Sequence, residues 1–210
     1  SRPMLRKLCV IAAAAALVAA PLPSLAQGKK DSVVMGMTLE PPGLDPTNAA
    51  AAAIAEVTLY NVYETLTKIN EDGSVSPLLA ESWQASPDLK TYTFKLRKGI
   101  KFHNGEPFDS AAVKFSFDRA AAPTSTNKDK SLYQAFASVT APDPETVVVA
   151  LKYSEPNLPF LLGQATGSIV EPKSAPTDAT QPVGTGPYTL GSWAKGSSID
   201  RKSTRLNSSH

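Results

Sequence analysis

Alternating apolar and polar positions predict a chain built mainly of short strands and hairpins. In residues 91–97, for example, Tyr92, Phe94 and Leu96 fall on one face, which is the period of a half-buried strand. The Asp72-Gly73 step and the proline-rich turns near residues 87 and 143 separate such runs. The predicted strands are residues 32–38, 66–69, 80–84, 91–97, 136–141, 146–151, 169–170 and 188–193.

Apolar residues at spacings of three and four predict helices between these strands. The first helix is expected from about Ala50 to Glu64. The second starts at Asp109 as its N-cap and ends at Pro123, and a short third helix is expected at residues 156–162. The segment 124–130 is polar and predicts a loop. Strands and helices mix without strict alternation, so the fold class is α/β or α+β.

The two ends of the chain differ from its middle. Residues 4–26 have a basic start, a short apolar run and small residues at Ser24 and Ala26, which predicts a signal peptide cleaved before Gln27. A membrane anchor is the alternative, but the run is short for a bilayer. Residues 201–210 are basic and polar without periodicity and are expected to be a non-native tail, the alternative being a genuine disordered one.

Removing both ends changes the charge of the protein. The full chain has 21 basic and 19 acidic residues, and six of the basic ones lie in residues 1–26 and 201–210, which hold no acidic residue. Residues 27–200 therefore carry 15 basic and 19 acidic groups, a net charge of −4. A negative net charge does not attract the phosphate backbone of a nucleic acid, so no nucleic-acid partner is expected.

Metal and nucleophile chemistry has few candidates. The single cysteine, Cys9, lies in the signal segment, where the basic residues before it do not fit a lipid-anchoring site. Residues 27–200 contain one histidine, His103, and no cysteine, so neither a His/Cys metal site nor a disulfide is expected. A Ser-His-Asp triad would depend on His103 alone, which is expected to be a surface turn residue.

Two further features have ordinary structural explanations. Gly184-Thr185-Gly186 is not followed by Gly-Lys-Ser/Thr, so it predicts a turn entering a strand and not a phosphate cradle. A catalytic carboxylate pair is the other possibility considered, but caps, helix faces and turns are where solvated charges normally lie. Its members would come from Asp109, Asp118, Asp143 and Glu145. The chain is expected not to be an enzyme and to use no cofactor and no metal.

Several motifs, taken together and in order, resemble one family. Residues 96–109 (LRKGIKFHNGEPFD) followed by residues 113–116 (VKFS) resemble the family 5 extracellular solute-binding proteins, the dipeptide, oligopeptide and nickel binders of ABC importers. The other matching segments are residues 41–46, 63–66, 77–83 and 182–188.

The resemblance implies a periplasmic-binding-protein-like fold of class II, with two lobes. Only the first lobe and its inserted subdomain would be present, since the family's second lobe comes later in the chain. The implied parts are residues 27–48 and 166–200 for the first lobe and residues 49–165 for the inserted subdomain.

The resemblance also implies a function. Such a protein captures a solute in the periplasm by closing its two lobes and delivers it to permease subunits in the inner membrane. Peptides are the leading ligand class, and a monomer is expected. Non-peptide ligands such as a nickel chelate, haem, an opine or a sugar are the alternative within the family. An exported structural or adhesive domain and a secreted hydrolase are the alternatives outside it.

The candidate ligand contacts follow the first strand, where open α/β sheets tend to present ligands. They are Thr38, Leu39, Glu40, Pro41 and Pro42. The alternative is that Pro41 and Pro42 only stiffen the loop. The family-marking residues 103–105 are expected to form a structural hairpin.

Overall fold

The computed structural model describes residues 32–35, 43–47, 52–194 and 198–203. Strands and helices alternate irregularly along these residues, as the sequence predicts. The strands are β1 (Ser32–Met35), β2 (Thr67–Ile69), β3 (Val75–Pro77), β4 (Ala80–Ala85), β5 (Thr91–Leu96), β6 (Phe136–Asp143), β7 (Thr146–Leu151), β8 (Tyr188–Ala194) and β9 (Ser198–Ser203). The α-helices are α1 (Ala52–Thr58), α2 (Ser110–Ala121), α3 (Lys130–Gln134) and α4 (Leu158–Leu161). Two 3-10 turns lie at Ala165–Gly167 and Ala175–Thr177.

The largest sheet is antiparallel, with the order β4-β5-β7-β6. Tyr92 lies opposite Val149, and Phe94 lies opposite Val147. All four side chains are buried, so one face of the two central strands is continuously apolar. This face confirms the alternation predicted from the sequence, because side chains at every second position point to the same side of a sheet.

Helix α2 packs against β6 and β7 and contributes to the same core. Its first turn is capped as predicted: the Asp109 carboxylate accepts a hydrogen bond from the Ala112 N–H at 3.2 Å. Phe117, on the buried face of α2, packs edge-on against Phe136 with ring centroids 5.7 Å apart. Such aromatic contacts add to the free energy gained by burying the rings.

A second antiparallel sheet has the order β1-β9-β8, and β2 and β3 form a separate hairpin. The β2–β3 turn contains Gly73 at φ +83°, a left-handed conformation that glycine adopts without steric cost. The predicted strands at 66–69 and 188–193 are therefore confirmed.

Helix α1 is shorter than predicted, ending at Thr58 and not near Glu64. The Thr58 hydroxyl donates to the Ile54 carbonyl, and the amides of Val62 and Tyr63 both turn back to the Thr58 carbonyl at 3.0 Å. Tyr60 takes a left-handed φ of 60°, which ends the helix. The apolar spacing beyond Thr58 belongs to a tight reversal that brings Tyr63 back beside Leu59.

Three other expectations need correction. The predicted strand at Ile169–Val170 is wrong, because the Val170 N–H binds the Ser116 hydroxyl at 3.0 Å and does not join a ladder. Helix α3 was not predicted. Strand β9 was also missed, and it runs to Ser203, into the segment expected to be a tail. The assignment of residues 201–210 as a non-native tail stays a prediction.

The predicted signal peptide, residues 4–26, lies outside the described residues. Within the part of the chain that the structure does describe, no helix has the length and apolar character needed to cross a membrane.

Candidate ligand-binding site

The loop predicted to contact a ligand lies outside the described residues. Its members are Thr38, Leu39, Glu40, Pro41 and Pro42. The structure does describe strand β1, which ends at Met35 and is joined to Thr38 through Gly36 and Met37, and residues 43–47, which directly follow Pro42.

Strand β1 fixes the side that precedes the loop. It pairs with β9 over its whole length, from Ser32 opposite Lys202 to Met35 opposite Ile199. β9 pairs in turn with β8, so the chain enters the loop from a three-stranded sheet. The backbone before the loop is therefore held by ladder hydrogen bonds.

Residues 43–47, here called the anchor segment, fix the side that follows the loop. The Leu44 N–H donates to the Ala179 carbonyl at 2.8 Å, and the Leu44 side chain is completely buried. The Cα of Gly43 lies close to Ala179, since a Cβ built on Gly43 would come 3.5 Å from the Ala179 Cβ. Backbone and side-chain contacts therefore bind the anchor segment to the chain near residue 179.

A buried ion pair completes the attachment of the anchor segment. The Asp45 side chain is 3% exposed, and its Oδ2 accepts a hydrogen bond from Arg119 Nη2 at 2.8 Å. The Thr47 amide and hydroxyl donate to Asp45 Oδ1 at 2.9 and 2.6 Å. Arg119 Nη1 also reaches the Thr47 hydroxyl at 2.7 Å. A buried carboxylate needs such partners, because removing one leaves an uncompensated charge away from water.

A second buried carboxylate, Asp178, lies next to Ala179. Asp178 is completely buried, and its Oδ1 accepts a hydrogen bond from the Val183 N–H at 3.3 Å. Its Oδ2 and the buried Tyr63 hydroxyl make no hydrogen bond of good geometry, although the two groups interact electrostatically. Burial and the charge of Asp45 raise the pKa of Asp178 to about 7.

Three of the motifs that mark the family meet beside this cluster. We call residues 61–64, 103–104 and 184–188 the motif junction. The Gly186 N–H donates to the Val62 carbonyl, and the Tyr188 N–H donates to the Asn61 carbonyl, both at 2.9 Å. A Cβ on Gly184 would lie 2.1 Å from the Val62 carbonyl oxygen, so only glycine fits. The glycines therefore allow the two backbone segments to lie close together, and they form the predicted turn that leads into a strand.

His103 fastens the hairpin at residues 101–107 to the glycine turn. Its backbone N–H donates to the Gly184 carbonyl at 2.9 Å. In the ring, Nε2 lies 2.7 Å from the Gly186 carbonyl oxygen, and Nδ1 accepts a hydrogen bond from the Gly184 N–H at 3.3 Å. These partners require the neutral ring with the proton on Nε2. The predicted turn is present, with His103 as one of its residues and Gly105 at φ +85°. His103 is half-buried because its ring packs against the glycine turn, so it is less exposed than expected for a surface turn residue.

Polar side chains surround the junction. Glu64 accepts a hydrogen bond from the Thr185 hydroxyl at 2.9 Å, and burial raises the pKa of Glu64. Asn104 donates to Glu171 at 3.0 Å. An open cavity of about 360 Å³ lies beside His103 and Asn104, with residues 181–183 and 189–191 as its other walls.

The four carboxylates considered as a catalytic pair each have a structural partner. Asp109 caps α2, Asp118 pairs with Lys114 at 2.7 Å, the Asp143 side chain accepts the Glu145 N–H at 2.8 Å, and Glu145 lies 3.5 Å from Lys98. No group of three His, Cys, Asp or Glu side chains among the described residues is placed to hold a metal ion.

The sequence did not single out Tyr63, Arg119 or Asp178 as members of one cluster. Asp45 carried a signal, because it stands between Leu44 and Pro46 in an apolar setting where a charge needs a partner. The partner could not be read from the sequence, since Arg119 is 74 residues away.

Comparison with known proteins places this geometry in a family. The sequence model of the bacterial extracellular solute-binding proteins, family 5 Middle, matches residues 74–202. The chain belongs to the family 5 bacterial extracellular solute-binding proteins.

Individual relatives agree with this assignment. The glutathione-binding protein GsiB of Shigella dysenteriae serotype 1 is 35% identical over 181 residues, which are 84% of this chain and 35% of that protein. The binding protein AgaA from A. tumefacien R10, solved with agropinic acid, has a TM-score of 0.71 and 31% identity over 76% of this chain and 33% of its own. Haemophilus influenzae OppA, solved with the peptide RPPGFSPFR, has a TM-score of 0.68 and 26% identity over 74% of this chain and 34% of its own.

The chain thus spans about a third of the length of the relatives that it matches. The mixed α/β fold predicted from the sequence is confirmed as part of a periplasmic binding protein fold.

The close approach at the motif junction leads to a first prediction. Replacing Gly184 with alanine should lower the free energy of unfolding by about 3 kcal/mol, because the new Cβ forces two backbone segments apart. Urea unfolding followed by circular dichroism measures the change. The matched control is Gly43→Ala, whose Cβ meets Ala179 at an ordinary 3.5 Å and should cost less than about 1 kcal/mol. Equal effects of the two substitutions would contradict this account of the junction.

His103 gives a second prediction. Burial lowers the pKa of His103 below its ordinary value of 6.5, so the unfolded chain takes up the proton first as the pH falls. The contribution of the neutral ring to stability is full above pH 6.5 and declines below it. In His103→Gln, the loss of stability between pH 7 and pH 5 should be smaller than in the parent protein. Urea unfolding at pH 5, 6 and 7 tests this, and identical pH dependence in both proteins would refute it.

Proposed function

We propose that this chain is part of the substrate-binding subunit of an ABC importer. It captures a peptide or a similar small solute in the periplasm and passes it to permease subunits in the inner membrane. The observation that carries this proposal is the family match over residues 74–202, together with relatives whose names or structures include a small ligand. The subunit acts as a monomer, by binding and not by catalysis.

The geometry supports a role for the loop at Thr38–Pro42 as one wall of the binding cleft. A sheet strand holds the loop on one side, and the buried Asp45–Arg119 pair holds it on the other. Fixing both ends of a loop lowers the entropy lost when a ligand orders it, which favours binding. We assign residues 27–48 and 166–200 to the first lobe and residues 49–165 to the inserted subdomain.

Peptides are the favoured ligand class. Two of the three compared relatives carry a peptide in their name or structure, glutathione in one case and RPPGFSPFR in the other. Binding through the peptide backbone tolerates many side chains, which suits a carrier of mixed peptides. AgaA favours a second candidate, a small non-peptide acid, because it combines 31% identity with a bound agropinic acid.

Ligand capture is tested on the product of the complete gene that encodes this sequence. Native mass spectrometry should show a bound small molecule that reduced glutathione, RPPGFSPFR or agropinic acid displaces. Glu40→Ala should weaken binding of the displacing compound about tenfold, or roughly 1.4 kcal/mol, without changing the melting temperature. The matched control is Glu71→Ala, in the exposed β2–β3 turn, which should bind as the parent does.

Two outcomes of that experiment would count against the proposal. A product that holds no small molecule, and whose melting temperature none of the three compounds raises, is not a solute-binding subunit. Equal affinity in the Glu40 and Glu71 variants would remove Glu40 from the binding site while leaving the function in place.

Export is tested separately. We expect the mature protein in the periplasmic fraction of a Gram-negative host, with Gln27 as its first residue, because Ser24 and Ala26 present small side chains to the signal peptidase. Intact mass and N-terminal sequencing measure this. A protein that keeps residues 4–26 would show an uncleaved anchor in place of a signal peptide.

A further inference from the structure

Asp45 and Asp178 form a pair of buried carboxylates that the backbone holds side by side. The hydrogen bond from Leu44 N–H to the Ala179 carbonyl joins the residue before Asp45 to the residue after Asp178. Asp45 is 3% exposed and Asp178 is completely buried. Two carboxylates in such a place repel each other unless cations or protons compensate both.

Only Asp45 is hydrogen-bonded to a cation, although the charge of Arg119 also acts on Asp178 at longer range. Arg119 donates to Asp45 Oδ2 at 2.8 Å, to Thr47 and to the Ala175 carbonyl, and it makes no hydrogen bond or ion pair with Asp178. Asp178 receives one hydrogen bond, from the Val183 amide at 3.3 Å. Among the described residues, the titratable and charged groups that face Asp178 are Asp45 from the anchor segment, Arg119 from α2 and Tyr63 from the motif junction.

Two buried polar atoms beside this pair lack good hydrogen-bond partners. They are Asp178 Oδ2 and the Tyr63 hydroxyl oxygen. The Tyr63 hydroxyl can donate to the ionised Asp178 carboxylate or accept from the protonated acid, so this contact is available in either state. Protonation of Asp178 additionally removes the repulsion from Asp45, which the Tyr63 contact alone does not.

We propose that Asp178 is a proton-dependent latch for the anchor segment. With its proton, the Asp178 side chain packs against Tyr63 and Asp45 and holds residues 43–47 in place. Without the proton, a second negative charge beside Asp45 loosens this segment. Any consequence for ligand binding rests on the proposed function, because the anchor segment directly follows the loop at Thr38–Pro42.

The direction of the pH effect follows from the environment of Asp178. Burial first, and the charge of Asp45 second, raise its pKa to about 7, whereas the exposed carboxyl titrates near 3.8. The latched form therefore holds a proton that the released form gives up. The latch is fully effective at acidic pH and is lost as the pH rises through 7.

The test measures local opening without any ligand. In the full chain, amide hydrogen exchange of Leu44 and Thr47 reports release of the anchor segment. After correction for the intrinsic exchange rate, protection of these amides should fall about tenfold between pH 6 and pH 8, the change that linkage gives for a group titrating near 7. The ¹³C chemical shift of the Asp178 carboxyl in the parent protein should titrate near pH 7.

A matched pair of variants separates the latch from general charge effects. Asp178→Asn keeps the shape of the side chain and should show equal protection of Leu44 and Thr47 at pH 6 and pH 8. Asp118→Asn removes a carboxylate from the exposed side of α2, where it pairs with Lys114, and should keep the tenfold fall of the parent.

The outcomes decide between a latch and none. An Asp178 carboxyl that titrates near pH 4, or a fall in protection that persists in Asp178→Asn, would overturn the proposal. Should Asp178→Asn fail to fold, the carboxyl titration of the parent protein still decides. Because neither readout uses a ligand, this test can fail while the transport function stands, and the reverse.

Discussion

The close approach of two backbones at the motif junction is the constraint on which the rest of the described structure depends. Gly184 and Gly186 lie against the carbonyls of Val62 and Asn61 with no room for a side chain. More than a hundred residues separate these two segments in sequence, so their contact closes a long loop that contains the four-stranded sheet and α2. Such a closure costs chain entropy, which the hydrogen bonds at the junction and the buried core must offset.

The junction also determines where the candidate site can form. The residues just before the glycine turn include Asp178 and Ala179, and the anchor segment is bound to Ala179. The residues just after the glycine turn form β8, which pairs with β9 and, through β9, with β1. The chain before and after the loop at Thr38–Pro42 is therefore attached to the same stretch of sequence, which begins at Asp178 and ends with β9 and is here called the return segment. A change in that segment reaches both sides of the loop.

Short-range sequence patterns predicted the parts of the fold that depend on neighbouring residues. The β4–β5 and β6–β7 hairpins and the capped start of α2 follow from alternation, turn residues and one N-cap within a few residues of each other. The end of α1 at Thr58 was missed because the apolar residues beyond it pack in a tight reversal whose partner is the glycine turn. Val170 looked like a strand residue, yet its amide binds a serine on α2. In the candidate site, the loop carried a signal in its prolines, whereas the Arg119–Asp45 contact exists only in three dimensions.

The motifs that identify the family are, in this chain, mainly structural. His103 and the two glycines of the turn bind one another and leave no polar atom of the imidazole free for a solute. The relatives that this chain matches carry different ligands in their names or structures, namely glutathione, agropinic acid and a nonapeptide. Under the proposed function, ligand choice would come from residues outside the motif junction, because fold and site chemistry are separable properties.

Two titrating side chains, His103 and Asp178, make hydrogen bonds with residues of the return segment, and their contributions to its stability depend on pH in opposite directions. His103 binds Gly184 and Gly186 only as a neutral ring, so its contribution declines as the pH falls below 6.5. Asp178 binds Val183, one residue before Gly184, and its environment favours the protonated acid, so its contribution declines as the pH rises through 7. The Asp178 contribution falls between pH 3.8 and about 7, whereas the His103 contribution rises as the pH increases toward 6.5, so the two effects oppose each other where both side chains titrate. Above pH 6.5 only the Asp178 contribution still changes, so the return segment and the anchor segment bound to it are held less firmly as the pH rises through 7.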